Sequence, residues 1–290
     1  MPTKRPHAII LSILSLALLS FISGCGAPDG NQPGNDTPPS SYEALDSTAS
    51  VTSTFGGTGL KLSISGGASL VALNGSLTHD TKAITVSDGT YTLVGVLNGT
   101  GGVSDGNRQL QLTTDINGYQ YAQSFYLFYT SGGTVDSAVA GVGGVVTHPS
   151  HVPTSGNGTY VGVAMGAIGK DGRVIELTNG YSTVEVDFGA GTADVMLTGF
   201  TPEFDIGSKI SSPLDTIAVN GMNISGNAFS GGTFITTKDG TVVNITGANT
   251  DTFAGGNFYG IDNNGIPDEV GGIILSTGDA GSVSGMFIAD

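Results

Sequence analysis

Two glycine-paired segments near the end of the chain constrain its fold more than any other feature. In residues 252–260, Phe258 and Tyr259 lie close to one glycine pair in the sequence. In residues 268–275, aliphatic residues flank a second glycine pair. Glycine allows a strand to bend, and large side chains fill the space that the bend leaves in a closed sheet. These segments therefore predict a β-hairpin in a small antiparallel barrel.

Glycine is frequent along the whole chain. It accounts for 48 of the 290 residues, more than twice its usual frequency of about 7%. It follows no strict period, which excludes a collagen-like chain. Its mixture with Val, Ile, Thr, Phe and Tyr favours many short strands joined by tight turns. Because no amphipathic helical pattern of any length occurs, the predicted fold class is all-β.

Alternation of apolar and polar residues marks the individual strands. The clearest strands of the first half are residues 60–64, 83–86, 91–94 and 109–112. Glycines within 141–144 are expected to interrupt the pattern. Eight strands are predicted in the second half, at residues 160–165, 183–188, 193–199, 227–235, 241–246, 252–260, 268–275 and 282–288. Turns about every 8–12 residues are typical of a barrel or sandwich, and an up-and-down barrel leaves no open sheet edge.

Charged residues are few, and most of them are acidic. The chain has 9 Lys and Arg against 24 Asp and Glu, and Lys4 and Arg5 lie in the predicted leader. Without these two residues, 7 basic and 24 acidic residues leave a net charge of −17. Such a surface repels nucleic acids and anionic lipids, so nucleic-acid binding is excluded as a function.

Residues 1–25 have the features of a lipoprotein signal peptide. A positively charged start precedes an apolar segment at 8–21, which is shorter than the ~20 residues of a membrane span. The leader ends with an aliphatic residue, two small residues and Cys25, which is the only cysteine of the chain. This ending resembles the bacterial lipobox, which implies cleavage before Cys25 and acylation of its thiol and of the new amino terminus. An ordinary signal peptide with a coincidental cysteine is the alternative.

The lipobox sets the expected domain organisation. Several acyl chains give stable anchoring, and Gly26 stands where Asp would indicate retention in the inner membrane, so we expect an outer-membrane anchor. Residues 26–50 are rich in Pro, Gly, Asn, Asp, Ser and Thr and predict a disordered tether. A smaller β-rich, handle-like domain is predicted at 51–150, followed by an eight-stranded antiparallel barrel at 151–290.

An aromatic run in the first half is open to two interpretations. Its spacing places Tyr119, Tyr121 and Phe125 on one strand face. Such a stripe is usually core, but it is also compatible with a surface patch for a protein or haem ligand. The run continues with Tyr126, Phe128 and Tyr129.

Two short segments offer metal-ligand chemistry. His148 and His151 are three residues apart and suit Zn, Cu or haem iron, although the intervening proline favours a solvated loop. Asp262, Asn264 and Asp268 are oxygen donors on a turn, as in calcium loops, but a proline occupies the position where an EF-hand needs glycine. A plain polar hairpin loop is the preferred interpretation, and no metal is predicted.

The sequence lacks the features of an active site. The only histidines outside the leader are His79, His148 and His151, and none is paired in a motif with a nucleophile. Glu185 and Asp187 share a strand face, as acidic residues on a solvated outer face also would. We therefore predict neither enzymatic activity nor a cofactor.

Three segments of the second half resemble a known family. They are residues 152–162, residues 183–189, and residues 258–260 together with 268–272. In their order and spacing they are similar to the barrel domain of transferrin-binding protein B, which is shared more distantly with factor H-binding protein and other surface lipoproteins of Gram-negative bacteria. The resemblance covers residues 147–290.

This resemblance implies an eight-stranded barrel preceded by a smaller β handle and anchored by lipid in the outer membrane. Some members of the family reach the cell surface through an outer-membrane translocon. The bilobed members repeat the handle and barrel, whereas this chain has room for one lobe. The spacer at 261–268 is longer and more polar than is usual in the family, and no binding residues can be transferred.

Two functions follow from these features. The first is a lipoprotein at the cell surface that binds a protein or solute, such as a host iron carrier or haem, with an outer-membrane receptor or translocon as a further partner. The second is a structural surface lipoprotein without a specific ligand, which the absence of Trp and the scarcity of Arg favour.

Overall fold

The structure is a computed structural model that describes residues 39, 41–63, 68–112, 119–131, 134–170, 173–204, 208–209, 213–248 and 250–290. Within these ranges the chain forms two antiparallel sheets and one 3-10 turn, and no α-helix. The all-β prediction is confirmed. None of the described segments is a helix long and apolar enough to span a membrane.

The first sheet has eight strands in the order β4-β3-β2-β1-β8-β7-β6-β5. The predicted strands of the first half correspond to β1, β3, β4 and β6 of this sheet. Buried side chains such as Phe55, Phe125 and Val139 fill its core. The strands are β1 (Thr52–Ser63), β2 (Ala68–Thr78), β3 (Ala83–Ser87), β4 (Thr92–Val96), β5 (Gly102–Ser104), β6 (Arg108–Leu112), β7 (Ala122–Ser131) and β8 (Thr134–Val145).

The prediction that glycines at 141–144 interrupt the first half was wrong, because β8 runs through them. A Cβ atom on Gly141 would collide with the carbonyl oxygen of Thr58, and one on Gly144 with that of Tyr121. These glycines therefore allow neighbouring backbone segments to approach closely within a continuous strand.

The second sheet contains the remaining twelve strands. They are β9 (Asn157–Lys170), β10 (Arg173–Asp187), β11 (Thr192–Thr198), β12 (Thr201–Phe204), β13 (Ser208–Lys209), β14 (Thr216–Ser225), β15 (Ala228–Ser230), β16 (Thr233–Lys238), β17 (Thr241–Val242), β18 (Asp251–Tyr259), β19 (Glu269–Thr277) and β20 (Ser282–Ala289).

Eight of these strands close into a ring. Neighbouring strands pair in the order β9-β10-β11-β14-β15-β18-β19-β20. The ring closes where β20 pairs with β9, with Met286 opposite Met165. The predicted eight-stranded antiparallel barrel is confirmed. Strands β12 and β13 extend from β10, and β16 and β17 extend from β14, all at one end of the barrel.

The strands of the second sheet differ from the predicted set in three respects. Strand β14 was missed, and the segment predicted as one strand at 227–235 forms β15 and β16. Gly231 and Gly232 separate these two strands, with φ angles of 82° and 90° that favour glycine. Of the predicted strand at 241–246 only β17 forms, and Ile245 beyond it is buried in the barrel core.

Side chains fill the interior of the barrel. Phe258 lies between Phe188 and Phe229, with ring centroids 5.8 and 5.3 Å apart. Aliphatic residues from the other strands of the ring complete this buried cluster, among them Ile168 and Val283. Because the interior is packed, any ligand of this barrel has to bind at its ends or on its outer surface.

Candidate functional site

The predicted lipidation site, Cys25, lies outside the described residues, as do the leader and most of the predicted tether. The last part of the tether segment is described and contacts the body of the protein. The N–H group of Leu45 donates to the carbonyl oxygen of Gln120 at 2.8 Å. The Lys82 ammonium donates to the carbonyl oxygens of Leu45 and Ser47. These contacts fix the point from which the chain leaves the first sheet toward its amino terminus.

The two histidines of the possible metal motif lie beside this same segment. His148 caps the 3-10 turn Pro149–His151, with its ring accepting the N–H of Ser150. The Tyr42 hydroxyl accepts the N–H of His148 at 2.7 Å and lies 3.0 Å from Nδ1 of His151. This arrangement attaches the tether segment to the connection between the two sheets. Within the described residues, no three His, Cys, Asp or Glu side chains are grouped to hold a metal ion.

The predicted polar loop at 261–268 is organised around its first aspartate. The Asp262 carboxylate accepts the N–H groups of Asn264 and Ile266 and the side-chain amide of Asn264. These bonds lower the pKa of Asp262 against the opposing effect of burial. Both carboxylate oxygens of Asp262 therefore accept hydrogen bonds from within the loop. Such side-chain bonds to the following backbone are typical of a hairpin turn.

The aromatic run divides between two environments. Phe125 and Tyr129 are buried in the core of the first sheet, which agrees with the core interpretation. Tyr119 and Tyr121 precede β7 and are half-buried where the first sheet meets the barrel. The prediction that Tyr119, Tyr121 and Phe125 share one strand face was therefore wrong.

The junction of the two sheets contains a buried carboxylate that the sequence reasoning missed. Glu269, the first residue of β19, is 2% exposed. Its oxygens accept the N–H groups of Gln120, Tyr121 and Ala122 at 2.5, 3.0 and 2.7 Å. Burial raises the pKa of the Glu269 carboxyl to about 7, although the three donors act in the opposite direction. A Glu directly before a run of six glycines and aliphatic residues is the signal that could have identified it.

Further buried contacts reinforce this junction. The Tyr259 hydroxyl donates to the carbonyl oxygen of Val142 at 3.0 Å, and Thr58 donates to the side-chain oxygen of Asn257 at 2.7 Å. An apolar cluster that includes Leu60 of β1 and Leu275 of β19 packs beside them. The first sheet and the barrel therefore share a packed interface that contains buried hydrogen bonds.

Comparison with known proteins identifies the barrel. The family model of the C-lobe and N-lobe beta barrels of Tf-binding protein B matches residues 152–290. These residues are a barrel domain of the transferrin-binding protein B family. A search of curated proteins finds no match.

Solved structures of transferrin-binding protein B share the fold over a larger part of the chain. Intact Ap-TbpB, with its N and C lobes, is 19% identical with a TM-score of 0.50, over 82% of this chain and 46% of that one. A double mutant of the protein from Haemophilus parasuis Hp5 is 17% identical with a TM-score of 0.50, over 82% of this chain and 44% of that one. The chain thus spans less than half the length of either matched protein.

The geometry of this transferrin-binding protein B-type barrel suits a binding platform. Its interior is filled, and one side of its outer wall is covered by the first sheet at the Glu269 junction. The loops at the barrel ends and the rest of the outer wall remain as contact surface. The matched family is named for binding a protein rather than for a reaction.

Proposed function

We propose that the protein is a lipid-anchored lipoprotein of the bacterial cell surface that binds a protein ligand on the outside of its barrel and first sheet. The observation that carries this proposal is a family barrel with a packed interior, fixed to a second sheet by buried contacts. Such a unit is rigid and offers its outer surfaces for binding with little loss of conformational entropy.

The anchor in this proposal is Cys25. Diacylation of its thiol, with acylation of its amino group, supplies the multiple chains that stable membrane binding needs. The tether joins this anchor to the body of the protein at the segment held by Tyr42 and Lys82. Gly26 after the cysteine supports the outer membrane as the location, with a translocon as the route to the surface.

The ligand class we propose is a host iron carrier or another protein involved in iron acquisition. The matched solved structures are transferrin-binding proteins, which makes transferrin the first ligand to test. Haem is a second ligand to test, and it would bind outside the barrel, because buried side chains fill the interior. An outer-membrane receptor that accepts the iron is a proposed partner.

The anchor is tested by growing cells with an alkyne-labelled fatty acid and comparing the native chain with a Cys25→Ser variant. We expect label on the native chain alone. Protease treatment of intact cells should degrade the labelled native chain. Label on the variant would refute the lipidation site. Protection of the native chain in intact cells, with cleavage after lysis, would place it in the periplasm instead.

Binding is tested with the immobilised full chain, first against iron-loaded and iron-free transferrin and then against host serum. We expect retention of one carrier protein above a matched column that carries an unrelated acidic lipoprotein. Haem is titrated separately by its absorbance spectrum. Retention of nothing above the control column, with an unchanged haem spectrum, would support the structural lipoprotein and refute the binding function.

A further inference from the structure

Three exposed apolar side chains lie together on the outer wall of the barrel. Val161 of β9, Tyr181 of β10 and Met196 of β11 are 55%, 64% and 44% exposed. Thr183 pairs with Val161 on one side and with Met196 on the other, and Tyr181 is two residues from Thr183 on the same face of β10. The three side chains therefore form one patch across three adjacent strands, which we call the wall patch.

The exposed ring of Tyr181 packs beside a glycine. Gly199, with a φ angle of 70°, follows β11, and a Cβ atom there would lie 2.7 Å from the Tyr181 ring. The absence of a side chain at Gly199 thus leaves room for the Tyr181 ring beside it, while the Tyr181 side chain remains exposed. Tyr and Met are enriched in protein interfaces, and a Tyr side chain loses little conformational entropy when a partner covers it, because it has only two χ angles.

Two carboxylates border the wall patch. Glu185 is the next outward residue of β10 after Thr183, and it pairs directly with Asp194 of β11. Both residues are exposed. Like charges directly opposite each other destabilise a sheet. Asp194 accepts the N–H of Gly221, and the described residues supply neither carboxylate with a salt bridge.

We propose that the wall patch is a docking surface for a positively charged protein segment, which places an apolar side chain on Tyr181 and Met196 and a Lys or Arg between Glu185 and Asp194. The inference rests on the proposed binding function and specifies the surface and the charge of the partner. A cation in that position attracts both carboxylates and so offsets the repulsion between them. A second copy of the chain fits poorly, because residues 152–290 contain 4 Lys and Arg against 15 Asp and Glu.

The test uses a phage-displayed library of random peptides, selected on the immobilised full chain. Enriched peptides should carry Lys or Arg next to Leu, Phe or Tyr. A synthetic copy of the best peptide should bind Tyr181→Ser and Glu185→Lys variants about 10-fold more weakly or worse. Its affinity for the native chain should also fall as salt is raised, because the charges involved are exposed.

The matched control is Val242→Thr, which changes a 70% exposed side chain of β17 in the same sheet. It should bind the peptide as the native chain does, and all variants should show unchanged far-ultraviolet circular dichroism. No enrichment, enriched peptides without basic residues, or equal affinity for all variants would each overturn the docking surface. If serum yields a ligand that the Tyr181→Ser variant retains equally well, this inference fails while the proposed function stands.

Discussion

Replacing Glu269 with alanine removes the shared acceptor of three backbone N–H groups where the barrel meets the first sheet. The N–H of Ala122 is buried and cannot reach water, whereas those of Gln120 and Tyr121 are in part-buried bonds. A buried donor without a partner costs about 1–3 kcal/mol, and each hydrogen bond lost nearer the surface costs about 1 kcal/mol. We therefore expect Glu269→Ala to lower the free energy of unfolding by about 3–5 kcal/mol near pH 5.

The effect should depend on pH. The pKa of the Glu269 carboxyl is raised from 4.5 to about 7 in the folded chain, so folding takes up a proton between these values. The stabilisation that this proton uptake gives the native chain is fully present below about pH 4.5 and is lost as the pH rises through about 7. It amounts to about 3 kcal/mol. The Glu269→Ala variant lacks this contribution, so its deficit relative to the native chain should shrink by about that amount at pH 8.

The assay is urea denaturation at pH 5 and pH 8, followed by tyrosine fluorescence because the chain contains no Trp. Glu185→Ala is the control, since this exposed carboxylate should change stability by no more than about 0.5 kcal/mol. A deficit for Glu269→Ala that is the same at both pH values would refute the raised pKa. A deficit below about 1 kcal/mol at pH 5 would refute the role of Glu269 at the junction.

Three further substitutions and one control test the packing, each by its midpoint of urea denaturation. Gly144→Ala should cost at least about 2 kcal/mol, because its Cβ would meet a backbone carbonyl oxygen, whereas Gly99→Ala in an open turn should be neutral or slightly stabilising. Thr58→Val should cost about 1–3 kcal/mol, since it leaves the buried side-chain oxygen of Asn257 without its donor. Phe229→Ala should cost about 3–5 kcal/mol through the cavity left in the barrel. A loss below about 1 kcal/mol for Gly144→Ala, Thr58→Val or Phe229→Ala would contradict the packing described for that residue.

The barrel was predictable from the sequence because its strands obey local rules. Alternation placed β9, β10 and β11, and the paired glycines of β18 and β19 marked the hairpin that bends within the ring. Strand β14 escaped detection because its alternation is broken at Gly221, which has a φ angle of 70° and lies at a register shift opposite β11. A pattern of period two cannot be followed through such a bulge.

The junction was not predictable, because it depends on contacts between residues far apart in the chain. Glu269 meets the backbone near Gln120 across 149 positions, and Thr58 meets Asn257 across 199. In the sequence Glu269 is only a charged residue beside an apolar run. Likewise, only the strand register shows that Tyr181 and Met196 are neighbours of Val161.

The most direct test of the account is nuclear magnetic resonance of the pairing between the first and last strands of the barrel. Met165 of β9 lies opposite Met286 of β20, so cross-strand nuclear Overhauser effects should connect their backbone protons and those of neighbouring pairs. The amides that face the partner strand should also exchange slowly with solvent. Absence of these cross-strand signals, with rapid exchange along both strands, would show an open sheet and contradict the closed barrel on which the proposed binding surfaces depend.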